Sequence, residues 1–118
     1  MRSTAGAPLA HIGSNGTDFF LYPGILRLRD ETGELIDSQH NAFFSGTSLD
    51  HLAAFVTSSN ALVSVQPARW QQRVGRLSSG EVVYQATSRD EVLSLLDSLT
   101  VALALARERN MGVMFLGE

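Results

Sequence analysis

The sequence predicts an α+β domain: a mostly antiparallel sheet packed against one long C-terminal helix and one short helix near residue 50. Three observations carry that prediction. Residues 88–109 have helix caps at both ends and a continuous apolar stripe. The first third of the chain is punctuated by Asn15-Gly16, Pro23-Gly24 and Asp30–Gly33, as an N-terminal β-meander would be. A later run, residues 68–84, folds back at Ser78-Ser79-Gly80 as a hairpin.

The meander follows from turn chemistry. Asn-Gly tolerates positive φ at both central positions of a tight turn, with Ala10-His11-Ile12 before it and Phe19-Phe20-Leu21-Tyr22 after it. Pro23-Gly24 marks a second bend. Ile25–Arg29 then alternates, Leu26 and Leu28 against Arg27 and Arg29, as a half-buried strand does. Asp30-Glu31-Thr32-Gly33 turns the chain, and Glu34–Gln39 returns as its partner. Thr47 or Ser48 caps the short helix, whose apolar face is Leu49, Leu52, Ala53 and Val56; Ser58-Ser59-Asn60 ends it. Ala61–Val65 reads as a short strand closed by Pro67, and Gly112–Leu116 as a final buried strand.

The long helix is the strongest local prediction. Ser88 and Glu91 form the S-x-x-E pattern of a capping box. Asp90 and Glu91 in the first turn and Arg107 and Arg109 in the last suit the helix dipole, and Asn110 with Gly112 supplies the stop. Val92, Leu95, Leu96, Leu99, Ala102, Leu103 and Ala106 gather on one side as the core face. The opposite side carries Ser94, Asp97 and Glu108, but also the i, i+4 apolar pair Val101 and Leu105. That second stripe needs a cover, either from the chain itself or from a protein partner.

Composition narrows the function classes. A chain of 118 residues fits one domain, with residues 1–8, small and polar, read as unstructured. A net charge of −3 is mild and argues neither for a strongly acidic mimic nor for a general nucleic-acid binder. There is no cysteine, so disulfides, thiol nucleophiles and cysteine metal sites are excluded. The start of the chain lacks a basic region followed by an apolar run, so no signal peptide is read and a cytoplasmic protein is expected. All nine cations are arginine. The codon usage of a GC-rich genome explains this, and arginine's preference for bidentate and stacked contacts is the other reading. Without lysine there is neither a phosphate-loop lysine nor a Schiff-base residue.

Few residues assemble into recognisable chemistry. His11, His40 and His51 have no metal-ligand spacing, and a site built from Asp37, His40 and His51 has no motif behind it. No G-x-S-x-G elbow is present. No catalytic residue, metal or cofactor is therefore nominated. Arg69, Trp70, Gln71, Gln72, Arg73 and Arg76 combine guanidinium, amide and indole within eight residues, the grammar of single-stranded nucleic-acid grooves and of protein hot spots; a solvated strand whose tryptophan plugs the core is the plainer reading. As a helix, the three arginines would line one face. As a strand, which Gly75 and the hairpin return favour, Arg69 and Arg73 share a face and Arg76 opposes them. Phe19-Phe20 and Phe43-Phe44, read as strand residues, each place one ring inward and one outward.

The expected function is a small non-enzymatic protein–protein interaction module of adaptor, inhibitor, immunity or chaperone type, homodimeric and with no membrane partner. Its candidate contact residues are Val101, Leu105, Arg69, Trp70, Arg73 and Arg76. The second reading is a nucleic-acid-binding module using Arg69, Arg73 and Arg76. A small-ligand-binding protein or unfamiliar enzyme comes third.

Overall fold

The computed structural model describes residues 2–4, 16–37 and 41–116. Its elements are β1 (Arg2–Thr4), α1 (Gly16–Thr32), β2 (Ala42–Phe44), α2 (Thr47–Ser64), β3 (Arg69–Arg76), β4 (Val82–Ser88), α3 (Arg89–Glu108) and β5 (Val113–Leu116). The fold is mixed α+β, with one antiparallel sheet ordered β1-β5-β2 and a separate antiparallel ribbon of β3 and β4. Helices α2 and α3 pack on each other and on the inner face of the three-stranded sheet; α1 packs on α2 and on the ribbon. No helix among the described residues is long and apolar enough to cross a membrane.

Helix α3 forms for the reasons its sequence gives. Ser88 is extended at the N-cap and its hydroxyl accepts from the Glu91 amide at 3.3 Å. The seven buried residues are Val92, Leu95, Leu96, Leu99, Ala102, Leu103 and Ala106, the stripe read from the periodicity. At the other end Asn110 takes a left-handed φ of 55°. The Met111 amide then donates to the Ala106 carbonyl at 2.7 Å and the Asn110 amide to Arg107 at 3.3 Å, the paired bonds of a Schellman stop.

The N-terminal meander is corrected. Gly16–Thr32 is a single 17-residue helix with Pro23 inside it. Leu21, Ile25 and Leu28 are its buried apolar face, spaced four and three apart. Burying that stripe against α2 outweighs the proline, whose missing N–H and ring cost an interior helix about 3 kcal/mol. Gly33, read as a hairpin turn, instead ends the helix: its φ is 80° and its amide donates to the Arg29 carbonyl at 2.7 Å. Ile36 follows as a buried plug, not as part of a returning strand. Arg2–Thr4, within the stretch read as unstructured, pairs with β5; residues 5–8, like Ala10-His11-Ile12, lie outside the described residues.

The short helix is corrected too. Helix α2 runs 18 residues, straight through Ser58-Ser59-Asn60 and the expected strand Ala61–Val65. Small polar residues break an exposed helix more readily than one held at a close contact. Ser59 is buried where α1 approaches, and a side chain at Gly24 would meet the Phe55 ring at 2.9 Å. Helix α2 ends short of Pro67, which cannot continue it. At the sheet, Phe44 and Phe115 meet edge to face in the core, with ring centroids 5.8 Å apart.

Candidate functional site

Two exposed faces concentrate side chains that the fold itself does not use. The first is the outer side of the β3–β4 ribbon. Its turn is built by Gly80 at φ 94°, with the Gly80 amide donating to the Leu77 carbonyl at 2.9 Å. The strand reading of residues 68–77 therefore holds, with one correction. The register runs Arg69 opposite Ser88, Gln71 opposite Ala86 and Arg73 opposite Tyr84, then slips by one, so that Gly75 faces Val83 and Arg76 faces Val82. The extra residue, Val74, is a β-bulge, and it reverses the alternation beyond it. Arg76 thus joins Arg69 and Arg73 instead of opposing them.

Trp70 belongs to the other side of the ribbon. Its ring packs on Phe20 of α1 with centroids 5.2 Å apart, and its indole N–H donates to Gln72 Oε1 at 3.0 Å. The buried Thr87 lies beside it on this inner side. The tryptophan plugs the gap between α1 and the ribbon, as the plainer reading held, and it does not stack on the arginines. The aromatic that does accompany them is Tyr84, 57% exposed and opposite Arg73. Sequence reading passed over Tyr84 because its place on the arginine face depends on pairing register, which no local signal specifies.

The partners of the arginines vary across the molecule. Arg107 meets Asp50 at 2.9 Å, Arg29 meets Asp30 at 3.4 Å, and Arg89 donates to the Gln66 carbonyl at 3.1 Å. Among the described residues, no carboxylate lies within ion-pairing distance of Arg69, Arg73 or Arg76. Arg76 is held by its own hairpin, donating to the Gly80 carbonyl at 3.0 Å.

The second face is the outer side of the three-stranded sheet. Alternation sends Ala42, Phe44, Val113 and Phe115 into the core and Phe43 and Met114 outward. Those two are direct cross-strand partners, 45% and 36% exposed. Met111, 46% exposed, follows the α3 stop and adjoins Phe43 around a shallow hollow that Gly112, Asp50 and Arg107 also line. The opposed orientation expected of Phe43 and Phe44 is found here. Phe19 and Phe20 lie instead on α1, Phe19 exposed and Phe20 against Trp70.

Val101 and Leu105 sit on the side of α3 away from its buried stripe; Val101 is 44% exposed and Leu105 half-buried. His51 Nδ1 stands 3.5 Å from Glu31 Oε2, while His11 and His40 lie outside the described residues. A cavity of about 290 Å³ opens between α1 and α2, lined by Phe20, Gly24, Arg27, Phe55, Ser58 and Leu62. It falls at the lower edge of the range for small-molecule sites. Comparison with protein-family models, with curated proteins and with solved structures gives no match for this chain.

Proposed function

We propose that this protein is a small protein-interaction module that forms a homodimer through the outer face of its three-stranded sheet. The observation that carries the reading is the outward Phe43–Met114 pair, with Met111 beside it. The patch has an apolar centre and a polar edge, where the Arg107–Asp50 ion pair and Asn110 lie. That is how protein interfaces are graded from core to rim. A twofold axis through the patch brings each copy's Phe43 and Met114 against the other's, the isologous arrangement commonest among homodimers.

Magnitudes set the strength. Fully burying a Phe or Met side chain is worth about 1.5–3 kcal/mol. Three partly exposed residues on each of two copies make a small contact, so the dimer is reversible and its population follows concentration. Val101 and Leu105 are the competing contact; they offer one apolar pair flanked by Asp97 and Glu108.

Light scattering coupled to size exclusion tests this across a concentration series. The expected result is a mass rising from one chain toward two, abolished by Phe43→Ser and unaffected by Leu105→Glu. Loss of the dimer in Leu105→Glu alone moves the interface to α3, and a single-chain mass at every concentration refutes self-association.

A further inference from the structure

We infer that the outer face of the β3–β4 ribbon binds the phosphate backbone of double-stranded DNA. This rests on a different surface from the dimer contact and stands or falls independently of it. Three guanidinium groups, Arg69, Arg73 and Arg76, lie along one side of a two-stranded ribbon. At about 3.3 Å per residue the row spans roughly 20 Å.

Concentrated like charge points to an anionic ligand. The chain carries three more acids than bases, yet three of its nine arginines share one exposed ribbon face with no carboxylate in ion-pairing distance among the described residues. Glu81 is the single acid among residues 69–88.

Shape and neighbours select DNA over an acidic protein. A two-stranded ribbon, with strands about 5 Å apart, fits the B-DNA major groove, about 12 Å wide. A row of like cations matches a repeating anion better than the mixed charges of a protein surface. Gln71 and Tyr84, on the same face, are neutral donors of the kind that contact phosphate oxygens. The remaining negative charge of the molecule repels the duplex and so orients this face toward it. Recognition through phosphates carries no base sequence of its own.

The test is fluorescence anisotropy of a short labelled duplex titrated with the full chain across a salt series. With three phosphates neutralised, the log–log slope of affinity against salt is about −2.7, so binding weakens roughly 40-fold between 50 and 200 mM. Arg73→Ala reduces the slope by about one, and replacing all three arginines by alanine abolishes binding. Arg73→Lys, which keeps the charge, retains the slope. Arg29→Ala, on α1 and away from both proposed surfaces, leaves affinity unchanged, and melting curves verify that each variant folds. Three results overturn the inference: no anisotropy change at low salt, unaltered binding by the triple variant, or polyglutamate competing as well as the duplex, which would identify an acidic protein as the ligand.

Discussion

Ser88 shows how much a single side chain decides here. It ends β4 and opens α3 by accepting one of the backbone donors a helix start leaves over. Ser88→Ala should cost about 1 kcal/mol in urea denaturation, with the denaturant slope unchanged. The capping pattern made this residue legible. Gly16 illustrates the opposite. Beside Asn15 it reads as a turn glycine, yet it is the first residue of α1, where a Cβ would overlap the Thr87 hydroxyl on the ribbon. Gly112 is constrained the same way, by the Phe43 ring and by the Phe44 carbonyl 2.7 Å from where a Cβ would stand. Because a backbone oxygen cannot swing aside, Gly112→Ala should lose about 1–3 kcal/mol, as overpacking does, measured as a fall in melting temperature. Such close approaches are made by distant segments and leave no trace in the residues next to them.

Among the elements, α3 was fully legible and α1 was not. The difference lies in punctuation. Helix α3 has a cap, an uninterrupted stripe and a stop that agree with one another. Helix α1 carries Pro23-Gly24 at its centre, a strong local turn signal, while its true stripe of Leu21, Ile25 and Leu28 is short and mixed with Phe19, Tyr22 and Leu26. Tertiary burial against α2 overrides the local preference. Pro23→Ala should therefore raise helicity in circular dichroism and stabilise the protein, by up to about 3 kcal/mol; a hairpin bending at Pro23-Gly24 would be weakened by the same change. The ribbon holds a second illegible feature, the bulge at Val74. Deleting Val74 removes the bulged residue and leaves Gly75 opposite Val83 and Arg76 opposite Val82, so Arg76 keeps its side and the salt slope for duplex DNA should be unchanged.

At the scale of the molecule, the helices separate two surfaces of different character. One end presents the apolar Phe43–Met114 pair, and the ribbon presents the row of Arg69, Arg73 and Arg76. Composition gave the overall acidity but not this partition, because only the register and the chain path gather Arg76 with Arg69 or Met111 with Phe43. The second stripe on α3 was legible as excess apolar surface, yet Leu105 is half-buried and Val101 stands beside charged neighbours. The outward sheet face was visible only as a pair of adjacent phenylalanines. Sedimentation equilibrium of the wild-type chain and of Phe43→Ser, over a range of concentrations, tests the proposed dimer most directly. The account predicts reversible dimerisation of the wild type and a stably folded, single-chain Phe43→Ser. A wild type that remains one chain throughout, or a Phe43→Ser protein that dimerises as strongly, would contradict it.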